Sequence, residues 1–310
     1  MAEHKNQNYD LVIIGAGAAG LAAAIYASRY KINHLVIGQK VGGLAGWAPL
    51  IENYPGYQPL PGQELMKRFL EQAKSLGSNI LEGEVIEMKK SRNNFLVTIR
   101  NQQKIIGRSL IFATGTERQK LNVPGEDEFW GRGVTYCATC DAPLYKGKIV
   151  AVVGGGDSAL TSALLLTEYA KKVYLIHRRD QFRGQVVWQE RAMANSKIEK
   201  VLSTNIIEIK GEEMVQQIVL DKPYQGLSSL EVNGLFVEIG STPSVYLVKN
   251  LGVALDEKQY IIVDNNCRTN LSGVFAAGDV TNQTHLKQIL TAASQGAVAA
   301  YSCYHYLTKK

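Results

Sequence analysis

The sequence predicts an α/β protein made of two Rossmann-like domains, each doubly wound and three-layered, with one inserted into the other. Three observations carry this prediction. An apolar strand, a glycine-rich turn and an alanine- or leucine-rich helix follow one another near residue 10 and again near residue 150. The length, 310 residues, suits roughly two domains. Glycine supplies 29 of those residues, above a usual share of about 7%, and falls in short clusters after apolar runs.

The elements follow in order. Tyr9–Gly15 (YDLVIIG) is a continuous apolar run, the pattern of a strand covered on both faces. Gly15-Ala16-Gly17-Ala18-Ala19-Gly20 makes a turn, Leu21–Tyr30 a helix and His34–Ile37 a second strand. Glu84–Arg100 alternates apolar and polar residues like antiparallel strands, and Leu110–Gly115 closes that region. The unit then recurs, with strand Lys148–Val153, turn Gly154-Gly155-Gly156-Asp157-Ser158-Ala159, helix Leu160–Tyr169 and strand Val173–Ile176. Gly234–Gly240 reads as a strand leading to a turn with Pro243, and Tyr260–Val263 and Val274–Gly278 read as strands. Gln288–Leu307 is the closing helix, and its small-residue run Thr291–Ala300 suits close packing against a backbone or cofactor. A duplicated βαβ unit implies two parallel sheets.

Composition narrows the classes. Apolar residues at 45% and charged residues at 20% fit a globular chain and exclude disorder. The polar start Met1–Asp10 leads into a strand and turn rather than a secretory leader. No uninterrupted apolar stretch reaches the ~18 residues that span a bilayer. The net charge of +6 is mild, and no basic stripe interleaved with aromatics suggests nucleic acid. Cys137, Cys140, Cys267 and Cys303 without a leader do not form a secreted disulphide framework, so the expected compartment is the cytoplasm.

Each glycine turn has the spacing of a dinucleotide loop. The first two glycines permit a tight turn and close approach of a pyrophosphate, and the helix N-terminus offers unpaired N–H groups. The third position, Gly20 or Ala159, must be small for helix and strand to pack. About 20 residues on, the second unit carries His177, Arg178 and Arg179, with Arg183 close behind. Guanidinium groups there match a 2′-phosphate, which points to NADPH rather than NADH. The first unit has Gly38 and Gln39 at that place, with no acid for a ribose. Ala113-Thr114-Gly115 and Ala277-Gly278-Asp279 resemble flavoprotein-reductase fingerprints, and the Asp279 carboxylate is suited to a ribityl hydroxyl.

Cys137-Ala138-Thr139-Cys140-Asp141 is either a redox pair or half of a zinc site. Zinc would need two more ligands at a matching spacing, and Cys267 and Cys303 lack it, so no metal is expected. As a redox pair, the short spacing lets the sulfurs bridge, a thiolate acts as nucleophile, and Asp141 can shuttle a proton. The alternative for Asp141 is a helix N-cap. Cys267 and Cys303 read as structural thiols.

Over nearly its whole length the chain resembles the low-molecular-weight thioredoxin reductases of bacterial and archaeal type. The matching motifs are GAGAAG, GGL at Gly42–Leu44, ENYPG at Glu52–Gly56, ATG, CATCD, GGGDSA, HRRDQFR and FAAGD, in that order. The resemblance implies bound FAD, NADPH as donor, a homodimer, and thioredoxin or a similar small disulphide protein as acceptor. It implies an FAD domain at 1–116 and 244–310 and an NADPH domain with the dithiol at 117–243. FAD would meet Gly15, Gly17, Ala18, Ala19, Gly20, Gly38, Gln39, Gly43, Leu44, Asn53 and Val85. Its remaining contacts would be Ala113, Thr114, Gly115, Gly278, Asp279, Lys287, Gln288 and Ile289. NADPH would meet Gly154, Gly156, Asp157, Ser158, Ala159, His177, Arg178, Arg179, Arg183 and Gly240. Cys140 would face the flavin and Cys137 would attack the partner disulphide.

The chain departs from the family at Asp141-Ala142-Pro143, where glycine often follows the Asp. It departs again at Lys287-Gln288-Ile289, where Arg-Gln-Ala is common, and at Gly184, where Ala is common. None removes a group the reaction needs. Since the dithiol and NADPH would share one domain, they are expected to alternate at the flavin by rotation about the two crossings between the domains, Thr114-Gly115 and Gly240-Ser241-Thr242-Pro243. Other readings are a peroxiredoxin- or glutaredoxin-like acceptor, an electron donor other than NADPH, and a non-catalytic redox sensor.

Overall fold

A computed structural model of the chain describes residues 7–309, apart from positions 49 and 102. The first six residues of the polar start, and of the domain expected from residue 1, lie outside the described residues. The chain divides into two compact units. One comprises Met1–Gly46, Ile51–Glu117 and Thr242–Lys310, the other Trp47–Leu50 and Arg118–Ser241.

In the first unit β1 (Gln7–Ile14) runs into α1 (Ala18–Arg29) and β2 (His34–Gly38). Leu11–Ile14 are at most 3% exposed, as a strand covered on both faces requires. The chain continues through α2 (Gly62–Ser75), β3 (Asn79–Glu82), the antiparallel pair β4 (Val85–Ser91) and β5 (Asn94–Ile99), and β6 (Lys104–Phe112).

The chain leaves this unit along β7 (Thr116–Arg118). Then come β8 (Val134–Thr135), α3 (Ala138–Asp141), β9 (Ile149–Val153), α4 (Asp157–Thr167) and β10 (Lys172–His177). After α5 (Val186–Ala194) and β11 (Ile198–Leu202) come three antiparallel strands, β12 (Ile206–Gly211), β13 (Val215–Tyr224) and β14 (Leu227–Glu231). β15 (Gly234–Val237) ends this unit, and β16 (Ser241–Pro243) pairs with β7 on the return. The last elements are α6 (Tyr246–Lys249), β17 (Val274–Ala276) and α7 (Ile289–Thr308).

Among the described residues the first unit's sheet has the order β3-β2-β1-β6-β5-β4, with β17 also on β6. The second unit's parallel sheet runs β11-β10-β9-β15-β8. In both, the strand before the glycine turn is central and the chain winds to either side of it, which is the doubly wound arrangement. Val12, Ile14, Leu35, Ile37, Leu110 and Phe112 join in one apolar core, and Val150, Val152, Leu160, Leu166 and Phe236 in another. Each such buried side chain contributes about 1.5–3 kcal/mol.

Several elements differ from the sequence reading. Tyr260–Val263 is not a strand. Ile261 forms only isolated bridges to Leu255 and Thr281, because the Asp256 and Asn282 side chains take the Tyr260 and Val263 amides on either side. Both loop helices begin earlier than Leu21 and Leu160, at Ala18 and Asp157, since the glycine turns serve as their caps. The antiparallel sheet β12–β14 was not anticipated.

Candidate functional site

In the first unit the strand ends are flush. Ile14 pairs with Ile37 and Phe112, and Phe112 with Ala276, so Gly15, Gly38, Ala113 and Ala277 border one edge. Gly15 has φ +111°, and a Cβ there would lie 2.1 Å from Ala113 O. A Cβ on Gly20 would lie 1.8 Å from Gly15 O, so helix and strand touch backbone to backbone. Gly17 differs, since nothing stands closer to its Cβ position than Gly43 Cα at 4.0 Å. The first and third glycines are therefore fixed by packing, and the second leaves an open approach to the start of α1.

Other first-unit candidates gather around this edge. Gly42 N donates to Ala16 O (2.8 Å), which brings Gly43 and Leu44 to the turn. Gln39 is exposed. Asn53 Nδ2 donates to Gln288 Oε1 (3.0 Å), tying the ENYPG segment to the residue before α7. The Gln288 amide itself donates to Thr291 Oγ1 (3.2 Å), and Ile289 opens α7. Thr114 Oγ1 donates to Ser244 O (2.9 Å) beside Gly115. Val85 lies buried at the start of β4 and accepts from Tyr246 OH through its carbonyl (2.7 Å).

The Asp279 carboxyl is pushed above its ordinary range by burial, against the pull of Lys287. Burial also lowers the Lys287 ammonium, which donates to Thr281 O (2.5 Å) and sits over the Tyr260 ring. Gln295 completes this turn, because its Oε1 accepts from Gly278 N (2.7 Å) and Thr281 Oγ1 (3.2 Å). The sequence reading missed Gln295, although it is the one long polar side chain in the small-residue run. Packing in that run is as close as expected, since a Cβ on Gly296 would lie 2.0 Å from Ala19 O.

The second unit repeats the edge. Val153 pairs with Ile176 and Val237, so Gly154, His177 and Glu238 stand side by side. Nothing lies within 4 Å of a Cβ on Gly156, and Ala159 is fully buried. Ser158 is exposed at the start of α4. The Asp157 carboxylate accepts from Gln185 N (2.6 Å) and Gln185 Nε2 (2.8 Å), so it holds the start of α5. Gly240, with φ +113°, accepts from Gln119 N (2.9 Å).

The HRR group separates into two parts. Arg178, Arg179 and Arg183 are exposed. His177 is buried beneath the turn, where a Cβ on Gly155 would come within 2.3 Å of its ring, and it stacks on Phe182. Its Nε2 has no hydrogen-bond partner. Burial lowers its pKa, and the Arg183, Arg179 and Arg178 charges add to that.

Cys137 and Cys140 form a disulphide, and the Cys140 amide donates to Cys137 Sγ (3.2 Å). The two differ in access, since Cys137 is 8% exposed and Cys140 is exposed. The Asp141 carboxylate accepts from Thr135 Oγ1, whose oxygen also accepts from Cys137 N (3.1 Å). Asp141 precedes the short turn Ala142–Tyr145, but its side chain makes no capping bond there. The buried Glu238 and Ser162 and the part-buried Arg118, absent from the sequence reading, form a polar cluster beside Gly154. The Glu in the otherwise apolar GLFVEIG run was the available signal.

A family model described as pyridine nucleotide-disulphide oxidoreductase matches residues 9–296. The chain belongs to the pyridine nucleotide-disulphide oxidoreductase family. It is similar to the thioredoxin reductase of Bacillus subtilis (strain 168), at 38% identity over 302 residues, 96% of this chain and 95% of that one. The crystal structure of Lactococcus lactis thioredoxin reductase matches with TM-score 0.91 and 37% identity, covering 96% of this chain and 99% of that one. The T. acidophilum thioredoxin reductase structure matches with TM-score 0.91 and 35% identity, over 97% and 99%. As a pyridine nucleotide-disulphide oxidoreductase, the chain is an oxidoreductase enzyme, and the Cys137–Cys140 pair fits the family's redox disulphide. Among the described residues no group of His, Cys, Asp and Glu could hold a metal ion, and no helix is long and apolar enough to cross a membrane.

Proposed function

We propose that the chain is an NADPH-dependent flavoprotein disulphide reductase whose acceptor is thioredoxin or a thioredoxin-like protein. The observation that carries this reading is the closed Cys137–Cys140 disulphide in the same unit as an open glycine turn and three exposed arginines. The other unit has a second open glycine turn of the same design.

The residues fit two dinucleotides. At Gly17 and at Gly156 the Cβ position is free, which leaves room for a pyrophosphate at the start of α1 and of α4. FAD is assigned to the first unit, through the turn, Asn53, the Thr114 region, Asp279 and Lys287-Gln288-Ile289. NADPH is assigned to the second, where Arg178, Arg179 and Arg183 suit a 2′-phosphate. These assignments give an FAD domain at 1–116 and 244–310 and an NADPH domain at 117–243. A homodimer in the cytoplasm completes the reading.

When bound, the nicotinamide supplies a hydride and the flavin relays its two electrons to a disulphide. The chain's own residues do the rest. Two electrons break the Cys137–Cys140 bond, with Cys140 as the sulfur facing the flavin. Asp141, held by Thr135, carries the proton that the released sulfur takes. The Cys137 sulfur then attacks one sulfur of the acceptor disulphide and the other acceptor sulfur leaves. The Cys140 sulfur next attacks Cys137, which re-forms their bond and releases the acceptor sulfur held there, so the acceptor departs as a dithiol. Cys137 is the less exposed of the two, so this attack requires it to be uncovered. The dithiol and the second turn serve the same flavin from one unit, and they take turns.

Steady-state reduction of thioredoxin-like and peroxiredoxin-like disulphide proteins, with NADPH and NADH compared side by side, tests the proposal. Turnover of a thioredoxin-like protein with a preference for NADPH supports it. A preference for NADPH that survives Arg178→Gln with Arg179→Gln would remove the assignment of the arginines.

A further inference from the structure

The two units invite an internal comparison, because the same fold is built twice at the strand edge. A Cβ on Gly15 would lie 2.1 Å from Ala113 O, and a Cβ on Gly154 would lie 2.2 Å from Glu238 O. Ala113 and Glu238 therefore occupy the same place beside the glycine turn. Counting from each first glycine, Ala23 in α1 matches Ser162 in α4. In the first unit this spot is filled by two buried alanines. In the second it holds a carboxylate 8% exposed, which accepts from Ser162 Oγ (3.1 Å) and from Arg118 Nη1 (2.7 Å). Packing of the fold does not require the charge.

A buried ion pair usually costs about as much in desolvation as it returns, so stability is a weak reason for it. Its place suggests another. In the parallel order β11-β10-β9-β15-β8 the strand order reverses between β9 and β15, where open α/β sheets bind ligands. Glu238 directly follows β15 at that point. The arginines after β10 lie on one side of β9, and the glycine turn lies at its end. A dinucleotide with its 2′-phosphate at the arginines and its pyrophosphate at the turn must extend its nicotinamide half over β15.

We propose that Glu238, together with its counter-ion Arg118, is a positioning pair for the nicotinamide half of the dinucleotide. Glu238 ties three parts together: the end of β15, the body of α4, and the chain entering the second unit at Arg118. This inference rests on the NADPH reading of the second unit. It predicts that loss of the pair slows hydride delivery without loosening the grip on the adenosine phosphates.

The test is anaerobic rapid mixing on the FAD-loaded enzyme with two half-reactions followed separately. For Glu238→Ala, the limiting rate of flavin bleaching by NADPH falls about 10- to 100-fold, as small misplacements of reacting groups do. The dissociation constant for NADPH read from the same traces stays within about threefold, while Arg178→Gln raises it. Reoxidation of dithionite-reduced enzyme by a thioredoxin disulphide is unchanged. Glu238→Gln keeps an acceptor for Ser162 but no charge, and it and Arg118→Gln test the ion pair should Glu238→Ala fail to fold. An unchanged bleaching rate, or equal slowing of both half-reactions, overturns the inference. A wild-type enzyme that NADPH does not bleach overturns the functional reading instead.

Discussion

The Cys140 backbone N–H donates to Cys137 Sγ across 3.2 Å, so the first sulfur of the pair caps the short helix that carries the second. The two sulfurs are thus held in unequal roles before any partner arrives, and single substitutions separate them. Cys140→Ser leaves FAD bound and bleachable by NADPH, abolishes turnover of a disulphide protein, and leaves Cys137 to form a stable mixed disulphide with a thioredoxin whose single active cysteine carries a thionitrobenzoate group, which departs as the leaving thiolate. Cys137→Ser forms none. A non-reducing gel beside the bleaching trace reads both outcomes, and a mixed disulphide through Cys140 instead would reverse the roles.

The other two cysteines are inert in the folded chain. Burial is the main cause that pushes the Cys267 and Cys303 thiols up to about 12. Both remain protonated at pH 8, and the thiolate is the reactive form. Excess iodoacetamide on the reduced native enzyme therefore modifies two of the four cysteines, Cys137 and Cys140, and all four after denaturation. Mass spectrometry checks this, and modification of Cys303 at the same rate as Cys140 would contradict it.

The glycines of the second turn separate folding from binding. Gly154 has φ +150°, and a Cβ there meets Glu238 O at 2.2 Å, so Gly154→Ala costs roughly 1–3 kcal/mol of stability. Gly156 has open space around its Cβ position but caps α4, so Gly156→Ala costs no more than about 1 kcal/mol, the loss of a glycine cap. That methyl group occupies the approach of the pyrophosphate, and it weakens NADPH binding by about tenfold or more while FAD content holds. Thermal melts paired with NADPH titration distinguish the two variants.

Buried histidine sets an acid limit. His34 is buried with Nδ1 2.8 Å from Ile32 O and Nε2 3.1 Å from Ser78 Oγ, and burial lowers its pKa below 6.5. Below that value the unfolded chain binds the proton more readily than the folded one, so stability rises with pH through this range. His177 acts in the same direction. The melting temperature is higher at pH 7.5 than at 5.5, and His34→Asn reduces that difference.

Much of the fold could be read from residue patterns because its signals are local. The buried strand before Gly15, the turn and the alanine-rich α1 are adjacent in sequence, and so are their counterparts around Gly154. The Thr291–Ala300 run reports a close backbone approach that Gly296 and Ala19 make directly. What escaped depends on distant partners. The β12–β14 sheet comes from pairings between polar strands whose register no single run displays. Tyr260–Val263 has strand composition, yet the Asp256 and Asn282 side chains take the Tyr260 and Val263 amides that a ladder would use. The HRR triplet reads as one group, whereas the end of β10 turns His177 under the loop and leaves the arginines outside. Glu238 gains its meaning only from Arg118 and Ser162, residues 120 and 76 positions away.

The proposed route carries electrons from NADPH through a flavin to the Cys137–Cys140 disulphide and on to a thioredoxin-like protein. It is tested most directly by one anaerobic cuvette of the purified yellow enzyme. NADPH bleaches the flavin absorbance and oxidised thioredoxin then restores it, with restoration lost in Cys137→Ser. A flavin that NADPH leaves oxidised, or one that thioredoxin reoxidises equally well in Cys137→Ser, would rule out this route.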